Sequence, residues 1–306
     1  MNGKAEPNGK VVCIDSLVHG YGPKVILNNV DLQIRKGEFV SLVGPSGCGK
    51  STLLRLITGQ EQVQDAHRFD ILGKEAGLPD RRRGVVFQNY SLAPHLTVLD
   101  NVLLGLKYQA SIFQLLSPGW RKQAKKISLE YLEKMRLADA IDRFPGELSG
   151  GMRQRAAIAQ TLITIDFFKM PEILCMDEPY GALDSSTRED LQIFLLELWE
   201  KYKKTVIFVT HDLEEAVFLG TRVIVLSQFW KSDMPAEKQV GARIVFDSPL
   251  APHALSTQAK KTKEFGEMVA RVKDSGINDT KRQHVRDFNL THEDSFQTLL
   301  PGEVKA

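Results

Sequence analysis

The sequence predicts an α/β fold, and three of its features support this prediction. Short apolar runs typical of buried strands occur at residues 39–43, 172–177 and 205–210. Each run is followed along the chain by a segment whose apolar residues have helical spacing. A glycine-rich stretch joins the first run to its helix. Buried strands that alternate with helices are typical of a parallel sheet covered by helices.

The chain opens with segments that favour β-structure. Residues 11–18 alternate loosely between apolar and polar side chains and predict a first strand, and residues 25–34 predict its hairpin partner. Turns are expected at residues 19–23 and at Lys36–Gly37. An exposed aromatic side chain at Tyr21, in the first turn, could stack on a base, but a packing role is the simpler interpretation for Tyr21 alone.

The glycine-rich stretch fits the nucleotide-binding pattern GxxxxGK[ST]. Its residues are Gly44, Pro45, Ser46, Gly47, Cys48, Gly49, Lys50, Ser51 and Thr52. The glycines let the backbone turn its N–H groups towards phosphate oxygens, and the following helix N-terminus adds positive potential. Lys50 would reach the β- and γ-phosphates, and the Ser51 hydroxyl would ligate Mg²⁺. A chance glycine turn is the weaker interpretation, because a strand precedes the stretch and a helix follows it.

Residues 60–137 combine weakly patterned and helical segments. Residues 60–80 are polar, with a possible short strand at 67–72, and Arg81–Arg83 is interpreted as a solvated basic face. Residues 84–87 predict a strand that ends at Gln88, and α/β sheets bind ligands at such strand ends. A helical region is expected from Leu96 through Leu137.

A basic segment, Ser117–Lys122, interrupts this helical region, and Lys125 and Lys126 follow it. With its single tryptophan, Trp120, the segment could lie against a membrane or a partner. A solvated loop between helices is the interpretation that the sequence favours.

Leu148–Arg155 predicts a second helix start. Ser149 is suited to the N-cap position, Gly150 and Gly151 lie at the helix entrance, and residues 156–163 continue the helix. Such a start can bind an anion, but an ordinary capped helix is the favoured interpretation of this segment alone.

Two further predicted strands end in polar side chains. The strand at 172–177 ends at Asp177 and Glu178, and adjacent carboxylates at a strand end are costly unless they have a function. In a protein with the glycine pattern above, Asp177 would hold Mg²⁺, usually through water, and Glu178 would polarise an attacking water. The strand at 205–210 ends at His211, and a lone histidine there would be structural more often than catalytic.

The rest of the chain is less strongly patterned. Residues 222–227 predict the last strand of the sheet, and residues 244–246 a possible further strand. From residue 254 the chain is strongly polar, and apolar side chains with helical spacing occur at Phe265, Met268, Val269 and Val272. We interpret this end as an appended helical or partly disordered tail. Its histidines, His253, His284 and His292, are too scattered to indicate a metal site.

The composition excludes several classes of protein. Lys and Arg number 40 and Asp and Glu 38 among 306 residues, and this net charge of +2 gives no global indication of nucleic-acid binding. No apolar run approaches the roughly 18–20 residues that span a bilayer. Residues 1–10 lack the apolar core of a signal peptide, so the chain is expected to stay in the cytoplasm. Cys13, Cys48 and Cys175 have no metal-ligand spacing, and Cys13 and Cys175 are expected to be core thiols.

The order and spacing of these motifs resemble the ATP-binding cassette (ABC) ATPases over residues 11–228. The discriminating motif is Leu148–Arg155, because generic P-loop ATPases and GTPases lack it. Within the family, Met176–Asp184 and Phe208–Leu219 are most similar to importer subunits of the nitrate/sulfonate/taurine type. The segment around Trp120 departs from the family pattern as an insertion.

The resemblance implies a P-loop NTPase core with an antiparallel β subdomain, an α-helical signature subdomain and a C-terminal extension. The expected boundaries are a flexible N-terminus at 1–10, an ATPase domain at 11–240 with its helical subdomain near 90–165, and an extension at 241–306 that is helical or partly disordered.

The resemblance also implies roles for individual residues. Tyr21 looks like the aromatic residue that stacks on adenine, and Gln88 like the residue that senses Mg²⁺ and the attacking water and links the site to a transmembrane partner. Ser149, Gly150 and Gly151 are expected to close on the γ-phosphate that a second subunit binds. Glu178 would act as general base, His211 would contact the γ-phosphate, and Asp184 would lie at the subunit interface.

The implied assembly is a head-to-tail homodimer with two ATP molecules between the P-loops and the signature motifs. ATP would close the dimer and hydrolysis would open it, which would drive transmembrane permease subunits. A periplasmic or extracellular solute-binding protein would be an indirect partner, and no nucleic acid is expected. The chain would then be peripheral, on the cytoplasmic face of the inner membrane, with ATP and Mg²⁺ as its ligands.

Three alternatives stay open at this stage. The chain could serve another ABC transport system, with a different solute or with export in place of import. A soluble ABC ATPase of the DNA-repair or chromosome type is disfavoured, because such chains contain a long coiled coil and no sustained heptads occur here. A regulator that binds ATP without turnover is disfavoured by the presence of Glu178.

Overall fold

The computed structural model describes residues 9–87, 92–251, 256–300 and 303. The chain forms two units: one contains the residues up to Asp80 and from Lys204 onward, and the other contains Arg81–Lys203. Among the described residues, no helix combines the length and the apolar character that crossing a bilayer requires.

The first unit begins with an antiparallel sheet. Its first elements are β1 (Lys10–Tyr21), β2 (Lys24–Arg35), β3 (Phe39–Val43), α1 (Lys50–Thr58), β4 (Arg68–Ile71) and β5 (Lys74–Glu75). Four of these strands pair in the order β2–β1–β4–β5. The predicted hairpin and the short strand in the polar stretch are confirmed. The turn predicted at 19–23 is shorter than expected, because β1 continues to Tyr21.

The second unit is largely helical. Its elements are β6 (Arg83–Val86), α2 (Val98–Gln109), α3 (Ile112–Leu116), α4 (Pro118–Lys134), 3-10 turns at Ala138–Ala140 and Pro145–Glu147, α5 (Gly150–Phe168), β7 (Ile173–Asp177) and α6 (Ser185–Tyr202). β6 and β7 are parallel neighbours. α2 packs against α5, and α4 contacts both.

The basic segment around Trp120 is helical, so the prediction of a solvated loop there is wrong. Ser117 caps α4 by accepting a hydrogen bond from the Trp120 N–H, and Pro118 takes the first helical position, where its missing N–H is not needed. Trp120 is only 9% exposed, and its ring packs edge-on against Phe167. The proline that indicated a break therefore marks the start of a new helix.

The chain then returns to the first unit. Its remaining elements are β8 (Thr205–Val209), α7 (Leu213–Leu219), β9 (Arg222–Ser227), β10 (Trp230–Lys231), a 3-10 turn at Ala236–Lys238, β11 (Arg243–Pro249), a 3-10 turn at Thr257–Lys261, α8 (Lys263–Asp274), β12 (Gln283–His284), a 3-10 turn at Val285–Asp287 and β13 (Asn289–Leu290). β3 lies between β8 and β9 and is parallel to both.

β9 is not the last strand of its sheet, so that prediction is wrong. β11 pairs with β9 in antiparallel fashion, and β13 pairs with β11. The possible strand at 244–246 is confirmed as β11, which continues through Asp247 and Ser248 although these polar residues interrupt its apolar pattern. Asp247 is nevertheless buried, since its carboxylate accepts two hydrogen bonds, at 2.7 and 2.6 Å, from the Arg222 guanidinium.

Residues near the C-terminus contribute to the core of the first unit. The helix predicted from the spacing of Phe265 to Val272 is confirmed as α8. Val272 of α8 and Val285 are buried in one apolar cluster with Val43 and Phe246. The three cysteines are free thiols and buried, which confirms the expectation for Cys13 and Cys175.

Candidate functional site

The glycine-rich stretch lies between β3 and α1, as predicted, and its glycines are required by geometry. Gly49 has a φ of 100°, which a residue with a side chain rarely adopts. At Gly44, an added Cβ would lie 2.0 Å from the carbonyl oxygen of Leu226. The loop thus follows a path that other residues could not take, and that path ends at the N-terminus of α1.

The N-terminus of α1 has no side-chain cap. The residue before the helix is Gly49, which has no side chain to accept from the first-turn N–H groups. The positive end of the helix dipole lies at the same place. A loop of this form fits a polyphosphate, because its N–H groups can donate to phosphate oxygens.

Lys50 is buried beside the loop. Its ammonium group donates to the carbonyl oxygens of Gly44 at 2.9 Å and Pro45 at 3.0 Å. A phosphate oxygen is a stronger acceptor for an ammonium group than a neutral carbonyl, so the lysine is placed to bind one. Burial raises the pKa of the Cys48 thiol, and the nearby Lys50 charge only partly opposes this. Cys48 is therefore a protonated packing residue of the loop.

Tyr21 lies beside α1. Its hydroxyl donates to the Glu61 carboxylate at 2.7 Å, accepts from Arg55 at 3.1 Å, and lies 3.5 Å from the Thr52 hydroxyl. The ring meets His19 edge-on and is 47% exposed. The structure thus brings Tyr21 to the helix of the glycine loop. Arg55 and Glu61, which hold the hydroxyl in place, were not predicted from the sequence.

His211 follows β8 at the same edge of the sheet as the glycine loop. β3 and β8 are parallel, and Leu42 is paired with Val209, so both strands end side by side. Asp212 caps α7 by accepting from the Glu215 N–H at 3.1 Å, which fixes the turn that carries His211. His211 itself is exposed. This placement makes a contact between His211 and a phosphate bound at the loop geometrically reasonable.

In the second unit, β7 ends at Asp177, and Glu178 follows in a left-handed backbone conformation with a φ of 47°. That conformation costs on the order of 1–3 kcal/mol for a residue other than glycine and is concentrated at functional sites. The strain supports a functional role for Glu178 at this strand end.

Gln154 holds the turn after Glu178 in place through two hydrogen bonds, a role that was not predicted from the sequence. It is buried on α5, its side-chain N–H donates to the Glu178 carbonyl at 3.1 Å, and its side-chain oxygen accepts from the Ala182 N–H at 3.0 Å. The signal that could have identified it is an amide four residues before Ile158 on the buried face of the helix.

The expected capped start of α5 is confirmed. The Ser149 hydroxyl accepts from the Met152 N–H at 3.2 Å, and Ser149 is exposed. At Gly151, an added Cβ would lie 3.0 Å from the Ala182 carbonyl oxygen, so the glycine allows the helix start to approach this turn closely. Within the second unit, Ser149–Gly151 and the turn after Glu178 are therefore neighbours.

Asp184 caps α6. Its carboxylate accepts from the Thr187 N–H at 3.0 Å and from the Ser186 hydroxyl at 2.9 Å, and these hydrogen bonds hold the pKa of Asp184 well below its ordinary value. The anion at this helix start is the protein's own carboxylate. Gln88, the remaining predicted site residue, lies outside the described residues.

His292 lies within a charged cluster rather than alone. Ligand atoms of Glu38, His292 and Asp294 lie within 4.8 Å of one another, as in a possible metal site. However, Arg222 pairs with Glu38 at 3.2 Å and Arg35 pairs with Asp294 at 2.5 Å. Burial, with the nearby Arg222 charge, lowers the pKa of His292. Because these cations already neutralise both carboxylates, the cluster is a structural ion-pair network.

Comparison with known proteins agrees with this arrangement. A protein-family model described as ABC transporter matches residues 27–181. The taurine import ATP-binding protein TauB of Rhizobium johnstonii is 46% identical over 208 residues, which are 68% of this chain and 74% of that protein. The bicarbonate transport ATP-binding protein CmpD of Synechocystis sp. is 40% identical over 206 residues, 67% of this chain and 69% of that protein.

A solved structure is similar over most of the chain. The dimeric post-hydrolysis state of the ATP-binding cassette MJ0796 bound to ADP and Pi is 32% identical, with a TM-score of 0.63, and the match covers 79% of this chain and 99% of that one. The family match includes the glycine loop, the capped start of α5 and the strand that ends at Asp177. The chain belongs to the ABC transporter family and is an ATPase.

Proposed function

We propose that this chain is the ATP-hydrolysing subunit of a membrane importer of the nitrate/sulfonate/taurine type. The names of its relatives support the solute class: besides the taurine and bicarbonate proteins, the aliphatic sulfonates import ATP-binding protein SsuB of Bacillus cereus is 40% identical over 206 residues. Small acids are common to these names. The chain's own site binds ATP, so selection among such acids belongs to other subunits.

The observation that carries the proposal is the glycine loop of the first unit. An uncapped helix start and the buried Lys50 ammonium offer positive potential at one place. In this proposal the N–H groups of the loop and Lys50 hold the β- and γ-phosphates of ATP. Tyr21 packs against adenine, and His211 donates a hydrogen bond to the γ-phosphate.

Hydrolysis is assigned to the carboxylates at the end of β7, Asp177 and Glu178. Glu178 accepts a proton from the attacking water as general base, and Gln154 keeps its backbone in place. The Ser51 hydroxyl, Asp177 and Gln88 supply oxygen ligands of the kind that Mg²⁺ prefers. When bound, Mg²⁺ neutralises charge that develops on the phosphate oxygens.

The proposed working form is a head-to-tail homodimer. Ser149, Gly150 and Gly151 at the start of α5 contact the γ-phosphate bound by the glycine loop of a second copy. ATP then binds the closed dimer better than the separated subunits, so it stabilises closure by mass action. Hydrolysis removes that ligand, and the opening moves the permease subunits to which the dimer is attached at the cytoplasmic face of the membrane.

The first test is purification of the tagged full-length chain from its native membranes in mild detergent, with identification of the proteins that accompany it. We expect a multi-spanning membrane protein, and under gentle conditions a solute-binding protein. A Glu178→Gln chain serves as the matched variant, because it should retain these partners while losing ATP turnover. Recovery of soluble or DNA-associated partners alone would contradict the proposal.

The solute is tested by uptake. Cells that lack the chain are restored with the wild type or with Glu178→Gln, and uptake of labelled taurine, sulfonates and bicarbonate is measured. Restoration by the wild type alone identifies the solute that depends on this ATPase. Equal uptake of all three with both chains would contradict the assigned solute class.

A further inference from the structure

The short helix α3 exposes large apolar side chains. Ile112, Phe113 and Leu116 are 74%, 86% and 68% exposed, and no residue of α3 is buried. Tyr108, just before α3, is 67% exposed. These four side chains are termed the apolar patch. Large apolar side chains exposed together mark an interaction site, whereas single exposed ones need no explanation.

α3 is capped at its start and joined to α4 by polar contacts. Ser111 accepts from the Gln114 N–H at 3.3 Å, and the Gln114 side chain accepts from the Ser111 N–H at 2.8 Å, which together form a capping box. Arg121 donates to the Leu115 carbonyl at 2.8 Å. A helix this short gains little from its own hydrogen bonds, so these contacts keep it formed with its apolar side chains in solvent.

α4 anchors the patch to the rest of the second unit. Trp120, Ala124 and Ser128 are buried along one side of α4. The Trp120 ring centroid lies 6.2 Å from that of Phe167 on α5. The helix that follows the apolar patch is therefore packed against the rest of the second unit, so the fold itself leaves the patch exposed.

Residues 107–129, which contain the apolar patch, are strongly basic. Its charged side chains are Lys107, Arg121, Lys122, Lys125 and Lys126, all of them exposed. No acidic residue occurs between Lys107 and Leu129, although the whole chain has a net charge of only +2. Basic side chains beside exposed apolar ones complement a surface that carries phosphates above a hydrocarbon layer.

We propose that the apolar patch inserts into the interface of an anionic lipid bilayer, while Arg121 and the lysines of residues 107–129 contact lipid phosphates. Lipid fits this segment better than a folded protein does, because protein–protein interfaces are depleted in lysine and this segment is rich in it, with Glu130 the first carboxylate after it, 3.8 Å from the Lys126 ammonium. The contact is with lipid itself and is independent of the permease and of the solute. It adds a direct attachment to the one that a permease provides.

The test measures binding of the purified full-length chain to phosphatidylcholine vesicles with and without phosphatidylglycerol, by co-sedimentation. We expect binding to the anionic vesicles that weakens as salt is added. The double variant Phe113→Ser/Leu116→Ser should lower the partition coefficient about 100-fold, since each inserted side chain contributes roughly a factor of ten. The control is Leu78→Ser, which removes a leucine that is 77% exposed in the first unit.

The basic side chains are tested with matched triple variants. Lys122→Gln/Lys125→Gln/Lys126→Gln should lower binding to anionic vesicles by at least about tenfold. The control, Lys74→Gln/Lys238→Gln/Lys261→Gln, removes the same charge from exposed lysines elsewhere. All variants should keep the ATPase rate of the wild type in solution, which shows that the chain is folded.

Two outcomes overturn the proposal. The first is a wild type that does not bind anionic vesicles, or patch variants that bind as the wild type does. The second is that neither the wild type nor any variant binds protein-free vesicles, while a patch variant loses association with native membranes. The patch would then dock on a protein. Neither outcome affects the importer proposal, since the vesicles contain no permease.

Discussion

Two helix starts in this molecule are proposed to bind phosphate, yet they are built differently. α1 follows glycines, has no side-chain cap, and lies beside the buried Lys50 ammonium. α5 is capped by Ser149, which already accepts one of its first-turn N–H groups, and Ser149 is exposed. The first start is prepared to bind an anion by itself. The second is a stable helix end that needs a phosphate brought to it, as a second subunit would do.

The largest effect is expected from Lys50→Ala, which changes the α1 site and leaves α5 intact. Loss of a hydrogen bond between charged groups costs about 1.5–3 kcal/mol, or about 10- to 150-fold in ATP affinity. Titration with a fluorescent ATP analogue measures this loss. Because Lys50 also bonds Gly44 and Pro45, a thermal melt must show that the variant is folded. Unchanged affinity in a folded variant would exclude α1 as the phosphate site.

Glu178→Gln separates binding at the two helix starts from turnover. Loss of a general base lowers the hydrolysis rate by about 100-fold or more, while ATP affinity should stay near that of the wild type. ATP that is not consumed should then hold two copies together, and size-exclusion chromatography with ATP detects the dimer. Hydrolysis at the wild-type rate would show that Glu178 is not the base.

The parts of the site that could be predicted from the sequence are those set by neighbouring residues. The glycine loop, the Ser149 cap and the strand end at Asp177 each depend on a few consecutive residues, so local pattern indicates them. Gln154 was missed because its partners, Glu178 and Ala182, lie 24 and 28 residues away. A glutamine on a helix gives no local sign that it braces a distant turn.

Two wrong fold predictions have the same origin, whereas a third, the solvated face at Arg81–Arg83, is wrong only at Arg83, which is buried in β6. The Trp120 segment is polar and basic locally, but its tryptophan is buried against Phe167 on another helix. β11 is interrupted by Asp247 locally, but the buried partner of that carboxylate is Arg222 on β9. In both cases a contact between residues distant in sequence stabilises an element, the helix α4 or the strand β11, that the local pattern disfavours.

Ser149 variants test whether α5 is only a capped helix. Ser149→Ala removes the cap and costs about 1 kcal/mol of stability. Ser149→Asp keeps a cap and places a negative charge where the helix dipole favours it. If α5 contacts the γ-phosphate of a second copy, the aspartate repels it, so Ser149→Asp should weaken ATP-dependent dimerisation more than Ser149→Ala while remaining the more stable variant.

Analytical ultracentrifugation with ATP, in the Glu178→Gln background, measures this dimerisation, and thermal melting measures stability. If instead the more stable variant, Ser149→Asp, also dimerises better than Ser149→Ala, then α5 has only a structural role. Of the two helix starts, only α1 would then be proposed to bind phosphate.

The smallest effect is expected from Asp184→Asn, at a helix start that already holds an anion. Asparagine caps about as well as aspartate, so stability at neutral pH should change little. The folded pKa of Asp184 lies below its ordinary value of 3.8, because the Thr187 N–H and Ser186 hydroxyl bond the carboxylate. A lowered pKa stabilises the fold above that ordinary value, and the contribution is lost as the pH falls through the folded value.

The melting temperatures of wild type and Asp184→Asn should therefore be close at neutral pH, and below about pH 3.8 the wild type should fall relative to the variant, because only the wild type loses a charged cap. A wild type that keeps its position relative to Asp184→Asn in acid would contradict the cap assignment. Asp184 was also expected at the subunit interface, and ATP-dependent dimerisation of Asp184→Asn tests this independently. If dimerisation changes while the melting temperature does not, the carboxylate acts on the second subunit as well as on α6. If both stay near the wild type, α6 is a helix start whose own anion excludes phosphate, in contrast to α1 and α5.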